Sequence, residues 1–234
     1  MRFIEQVIRY KRLIILGLLC FCVSCSMITG KSSDLSCAEK EKVDCFLYQA
    51  ESSDESTRNR SLNELSSLNN RLVPYLIGKM AVSRDRIPII NLLAELDLKE
   101  SAKSILNVFQ NGTDSEKNQS AIALGKLKYR PSIPFFLAEI EDDNSNCLFG
   151  VVTALGLLQD ESAIRPLINL LPDGTYDVDT NSKGYIPVII PDPRTIGLLE
   201  TIVESLEQIT GVKFGSNRDE WERWFKGVYS LKVR

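Results

Sequence analysis

Histidine is absent from this 234-residue chain. Its absence excludes Ser–His–Asp and Cys–His catalysis and any metal site built on imidazole ligands. A large excess of positive charge is also lacking, since the formal net charge is −3, and we therefore expect no nucleic-acid partner. The apolar run at residues 13–23 is shorter than the roughly 20 residues of a typical membrane span. Hydrophobic residues still make up 44% of the chain, which is enough for a sizeable core.

The N-terminus has the layout of a secretory signal. Four basic residues precede the apolar run, namely Arg2, Arg9, Lys11 and Arg12. A charged segment followed by a short apolar segment is typical of a signal peptide. If the apolar segment extends to residue 28, an uncleaved anchor helix is the alternative.

The apolar run ends in Phe-Cys-Val-Ser-Cys-Ser at residues 21–26, which resembles a bacterial lipoprotein signal. Ser24 supplies the small residue that this family places before the modified cysteine, although Cys22 stands where leucine is usual. The resemblance implies cleavage of residues 1–24 and lipid attachment at Cys25. The chain is then exported and held at a bacterial membrane in the cell envelope by its lipid. A plain signal peptide or anchor helix with incidental cysteines is the alternative.

The remaining cysteines carry two further expectations. In an oxidising compartment Cys37 and Cys45 can form a disulfide, within a tether and N-terminal cap at residues 25–45. A continuous helix would separate them by about 12 Å, so the bond requires a turn between them. Cys147 lies in an apolar stretch and is interpreted as a small core residue.

A 31-residue period runs through the centre of the chain. The segment Ala-Leu-Gly-Lys-Leu at residues 123–127 recurs as Ala-Leu-Gly-Leu-Leu at 154–158, with weaker copies at 92–96 and 61–65. A second segment recurs in phase at residues 101–106, 132–137 and 163–168. Each unit contains two patterns of apolar residues at three-to-four spacing, which predict two amphipathic helices.

Prolines and glycines fit this interpretation. Pro131 and Pro166 fall at the predicted start of the second helix, where a missing N–H is harmless. Gly125 and Gly156 fall inside the first helix, where glycine costs about 1 kcal/mol relative to alanine. Their recurrence predicts a close approach of neighbouring helices at these two positions.

The repeated segments resemble the HEAT-like repeats of phycobilisome-lyase-type proteins, whose pattern is A-L-G-x-L followed by A-I-x-P-L-I. The resemblance implies an all-α protein, an α-solenoid of about five HEAT-like hairpins at residues 46–210 with a C-terminal capping helix. A non-repetitive helical bundle is the alternative.

Residues 172–194 interrupt the period as an insertion. Asp177, Asp179 and Asn181 match the first three ligands of an EF-hand calcium loop. The match then ends, because Ser182 replaces the required glycine and Val188 replaces the bidentate glutamate. An acidic, solvated loop is the alternative, and we predict neither a metal site nor a cofactor.

The pattern ITG…FG…WxxW begins at Ile209 and continues through the C-terminal segment, residues 211–234, and this ending resembles a recurrent one of bacterial HEAT-repeat proteins. Gly211 is a natural helix C-cap and Asn217 can cap a last helix. Trp221, Trp224 and Phe225 then share one helix face. This face either covers the core of the final repeat or forms a patch for a partner.

These patterns favour an interaction scaffold, with a protein partner of unknown identity, rather than an enzyme. Aligning the second helices places Lys103 and Arg165 in one row and Asn107 and Asn169 in the next, a face suited to an acidic or extended segment. The resemblance to chromophore lyases suggests an enzyme or enzyme accessory as the alternative. Cys147 is the one evident nucleophile for such chemistry.

Overall fold

The computed structural model describes residues 34–49, 55–142, 145–172 and 193–232. Within these ranges every regular element is helical, which confirms the all-α prediction. The α-helices are α1 (Cys37–Gln49), α2 (Glu55–Ser66), α3 (Leu72–Val82), α4 (Ile87–Glu95), α5 (Ala102–Asn111), α6 (Asp114–Lys126), α7 (Ile133–Ile140), α8 (Leu148–Leu158), α9 (Ile164–Leu170), α10 (Pro193–Thr210) and α11 (Arg218–Lys232). The chain divides into two compact units, Met1–Tyr75 and Leu76–Arg234, with the boundary inside α3.

In the first unit a reciprocal cap starts α1. The backbone N–H of Glu39 donates to Ser36 Oγ (3.3 Å), and the N–H of Ser36 donates to Glu39 Oε2 (2.7 Å). These hydrogen bonds, together with the nearby Arg71 guanidinium, lower the pKa of Glu39. Arg71 also donates to the Asp34 carbonyl at 2.8 Å. The contacts fix the start of α1 beside the 3₁₀ turn Asn69–Arg71.

In the second unit the connection between paired helices recurs with one geometry. A residue in the left-handed region follows α4, α6 and α8, with φ of 48° at Asp97, 54° at Lys128 and 52° at Gln159. These positions are 31 residues apart. Each is followed by a 3₁₀ turn (Lys99–Ser101, Arg130–Ser132 and Glu161–Ala163) that leads directly into α5, α7 or α9. The 31-residue period is therefore a period of backbone conformation as well as of sequence.

In two of these three turns a serine side chain repeats as well, whereas the third turn ends in Ala163. Ser101 Oγ donates to the Leu98 carbonyl at 2.7 Å, and Ser132 Oγ donates to the Tyr129 carbonyl at 2.6 Å. Both serines are buried. A buried hydroxyl needs such a partner, so the two bonds make serine compatible with the interior of the turn.

The first helices of successive pairs pack on one another, α4 against α6, α6 against α8 and α8 against α10. A Cβ on Gly125 would lie 2.8 Å from Ala154 Cα, and one on Gly156 would lie 2.6 Å from Ser205 Oγ. Side chains are not tolerated at such separations, so both glycines allow the close approach that the sequence predicts. Apolar residues between these helices are buried, including Leu124, Leu155 and Leu206.

A capping box starts α6, one that we did not predict although its T-x-x-E signature is visible in the sequence. The Glu116 N–H donates to Thr113 Oγ1 (3.4 Å), and the Thr113 N–H donates to Glu116 Oε2 (3.0 Å). The carboxylate of Glu116 is buried and also accepts from Arg86 Nε (2.6 Å) and Nη2 (2.7 Å). Thr113 and Arg86 together satisfy a carboxylate that would otherwise be costly to bury.

This ion pair predicts acid sensitivity. Hydrogen bonds from Arg86, and then those from Thr113, lower the pKa of Glu116 against the opposing effect of burial. A carboxyl whose pKa is lower in the folded state stabilises the fold above its unfolded pKa of about 4.3, and this stabilisation disappears as the pH falls through the folded pKa. We expect stability to fall below about pH 4.3, less steeply in Glu116→Gln, where glutamine retains the capping box. At pH 7 the substitution should cost about 1–3 kcal/mol. Urea titrations between pH 3 and 7 measure both effects, and parallel curves would contradict the prediction.

At the C-terminus α10 ends at Thr210, and Gly211 follows with φ of 73°, as predicted for a C-cap. Asn217 Oδ1 accepts from the Glu220 N–H at 3.2 Å and caps α11, also as predicted. Trp221 is fully buried. Its ring packs edge to face against the rings of Phe214 and Trp224, with centroid separations of 5.0 Å and 6.0 Å. The burial of Trp221 fits the interpretation that the aromatic face covers the core, rather than the interpretation that it forms a patch for a partner.

Candidate functional site

The predicted binding rows lie on exposed positions of the second helices. Lys103 and Asn107 are exposed on α5, and Arg165 and Asn169 are exposed on α9. The equivalent residues of α7, Pro134 and Ala138, are exposed too. The alignment by period therefore places equivalent residues at equally accessible positions.

The two basic residues of the first row have different surroundings. The Arg165 guanidinium lies over the Phe225 ring of α11, 5.5 Å from the ring centroid. This cation–π contact ties Arg165 to the C-terminal helix. Lys103 has no ion-pair partner among the described residues, so its ammonium is available to a ligand.

An open groove of about 430 Å³ lies beside Lys103, between α3 and α5. Its polar lining includes Lys103 and Asn107, while Ile77, Met80 and Val108 supply apolar surface. Met80 and Val108 are buried and form its floor, whereas Ile77 is half-buried. The alignment that identified Lys103 and Asn107 could not identify the α3 residues, because no polar row marks them in the sequence.

Arg86 also lines this groove, but its charge is matched. Its guanidinium binds both carboxylate oxygens of Glu116. The hydrogen bonds to Glu116 raise the pKa of Arg86 further. The unmatched positive charge in the groove is therefore that of Lys103.

The amide of Asn107 is oriented by its neighbour on the next turn of α5. Asn111 Nδ2 donates to Asn107 Oδ1 (3.1 Å) and to the Asn107 carbonyl (3.0 Å). The NH₂ group of Asn107 can donate to a ligand, and its Oδ1 keeps a second lone pair.

Cys37 and Cys45 both lie within the unbroken helix α1, and both are exposed, free thiols. The predicted turn between them is not formed, so the eight-residue separation holds them about 12 Å apart. This distance is too long for a disulfide, and the predicted pairing is wrong for this conformation. The helix also crosses the predicted boundary between residues 45 and 46.

Cys147 is buried, as expected of a core residue. Burial raises the pKa of its thiol, and the nearby Glu139 carboxylate acts in the same direction. Glu139 Oε2 accepts from Ser145 Oγ at 2.8 Å and lies 3.5 Å from Cys147 Sγ. A buried thiol with a raised pKa is a poor nucleophile, so the surroundings of Cys147 favour a structural role.

Several predicted positions lie outside the described residues. These are the lipid-attachment residue Cys25 and the candidate calcium ligands Asp177, Asp179 and Asn181. In the part of the chain that the structure describes, no cluster of three or more acidic, cysteine or histidine side chains is suited to a metal. Over the same residues, none of the helices has the length and apolar character needed to cross a bilayer.

No protein-family model matches the chain, and no curated protein matches it.

Proposed function

We propose that this protein is a scaffold for protein–protein interaction, built as a HEAT-like α-solenoid of about five helical hairpins and a C-terminal cap, and anchored by lipid in a bacterial cell envelope. One observation carries the proposal, namely the recurrence of one hairpin geometry every 31 residues with equivalent exposed positions on the second helices. Units that pack on their neighbours through the same surfaces present an extended row of side chains. Such a row suits recognition of a partner along its length.

The packing of the second unit supports this assignment. Gly125 meets Ala154, and Gly156 meets Ser205, at matching places on successive first helices. Each helical pair thus buries its apolar face against the next pair, which is how repeat proteins obtain a continuous core. The turn residues Asp97, Lys128 and Gln159 give each pair the same internal geometry.

The proposed binding face is tested by charge reversal at Lys103. We expect Lys103→Glu to reduce partner recovery about tenfold when the full-length protein is affinity-purified from envelope extract, since charged groups at an interface govern association and specificity. Lys103 is preferred to Arg165 because Arg165→Glu would also remove the contact with Phe225.

The control is Lys126→Glu, the same charge change at an exposed position on the first helix α6. Both variants should retain the wild-type melting temperature, because exposed charges contribute little to stability. Recovery of the same proteins by wild type and Lys103→Glu would rule out this face. Turnover of a substrate by the purified protein would overturn the scaffold proposal itself.

The anchor is tested at Cys25. In cells fed a fatty-acid analogue, we expect the wild-type protein to be labelled and Cys25→Ala to lose the label. Cys22→Ala serves as the matched control, because it removes the neighbouring cysteine and should leave labelling intact. Equal labelling of wild type and Cys25→Ala would show that the protein is not a lipoprotein modified at this residue.

A further inference from the structure

We infer that the groove between α3 and α5 binds a short partner segment in which a carboxylate side chain lies next to an apolar one. This inference rests on the proposed function and gives the partner a chemistry. Three features of the groove carry it, namely its hydrogen-bond donors, its apolar floor and its charge.

The polar wall offers donors. Lys103 contributes an ammonium group, and Asn107 contributes the two N–H donors of its amide. The two residues are one turn apart on α5, so their Cβ atoms are separated by about 5–6 Å. This spacing lets the two oxygens of one carboxylate accept from both side chains. A cationic ligand would be repelled by Lys103.

The opposite wall and floor are apolar. Ile77 lies on the α3 side, and Met80 and Val108 lie beneath. Methionine is flexible and polarisable, and it adapts to ligand side chains of different shape. An aliphatic side chain next to the carboxylate would contact Ile77 and the small exposed parts of Met80 and Val108, which adds a hydrophobic contribution to the ion pair.

The size and charge of the groove limit the ligand further. A volume of about 430 Å³ accommodates a few side chains and excludes a folded domain. Glu116 neutralises Arg86, so the groove has the unmatched charge of Lys103 and favours a single carboxylate. The ligand class is thus a short acidic–aliphatic peptide segment.

Methionine provides a direct probe of this groove. The chain contains three methionines, Met1, Met27 and Met80. In the full-length protein labelled with methyl-¹³C-methionine and kept in mild detergent, Met80→Leu assigns the Met80 methyl signal. We expect this signal to shift on titration with the peptide acetyl-Leu-Glu-Leu-amide. The same peptide with glutamine in place of glutamate should bind about tenfold more weakly, because the carboxylate charge, and with it the ion pair to Lys103, is lost.

Variants of the protein separate a specific from a nonspecific response. Lys103→Gln should weaken binding of the glutamate peptide about tenfold and leave the glutamine peptide unchanged. Lys126→Gln, which removes a lysine from α6, should bind both peptides like wild type. An unmoved Met80 signal, or equal affinity for the two peptides, would overturn the inference.

The peptide titration and the purification from envelope extract test the groove inference and the proposed scaffold separately. If the wild-type protein recovers envelope partners and the glutamate peptide does not shift the Met80 methyl signal, the scaffold stands and the groove inference is wrong. If the peptide shifts Met80 with the expected dependence on Lys103 and no envelope protein is recovered, the groove inference stands and the proposed scaffold is wrong.

Discussion

Trp221→Ala is expected to lower the free energy of unfolding by about 3–5 kcal/mol, the cost of truncating a fully buried aromatic side chain. Trp221 is completely inaccessible to solvent, and its Nε1 donates to the Gly215 carbonyl at 2.8 Å. The substitution removes this bond, opens a large cavity and deletes the edge-to-face contacts with Phe214 and Trp224. Urea unfolding monitored by circular dichroism measures the loss.

The other tryptophan of the chain is the matched control. Trp224 lies on the same helix and is only half-buried, so Trp224→Ala should cost clearly less than Trp221→Ala. Because α11 packs against α9, the loss at Trp221 should begin with fraying of the last helices. Equal losses for the two variants would show that Trp221 is not the centre of this cluster.

Leu124→Ala and Leu155→Ala are each expected to cost about 2–5 kcal/mol, because both leucines are fully buried between first helices. The two positions are 31 residues apart and lie in equivalent surroundings, so the two losses should be similar. Leu157→Ala, at a half-buried position of α8, is the matched control and should cost less. Chemical denaturation of the three variants provides the comparison.

Two results for the leucine variants would contradict the proposed packing. Losses below about 0.5 kcal/mol at Leu124 and Leu155 would mean that neither residue is in a packed core. A large loss at one position with a small loss at the other would contradict the equivalence that the period implies.

Local sequence patterns predicted several features of the fold. The spacing of apolar residues predicted the paired helices. Gly125 and Gly156 predicted the close approach of neighbouring helices, and the structure confirms that approach. The ends of α10 and α11 follow from Gly211 and Asn217, because each residue acts within one turn of its own position. Local rules of this kind depend on a few neighbouring residues and can be applied to a sequence directly.

Features that depend on distant residues were predicted less well. The Arg86–Glu116 pair joins residues 30 positions apart, and nothing in the sequence marks them as partners. The predicted disulfide between Cys37 and Cys45 failed for a local reason, because the residues between them continue the helix α1. One side of the groove beside Lys103 is formed by α3. The alignment of the second helices by period does not include α3, so it could not predict the groove.

The glycine contacts have a consequence for how this protein can change in length. Gly125 meets Ala154 and Gly156 meets Ser205, so α8 offers α10 the surface that α6 offers α8, although 20 extra residues intervene. In the proposed repeat array, a duplication or deletion of 31 residues would again place a glycine against a small residue of the next first helix. A change of any other size within the helices would misalign glycine and its neighbour. The proposed array can thus change length by whole periods, while a longer connection between helices adds only a small loop-closure cost.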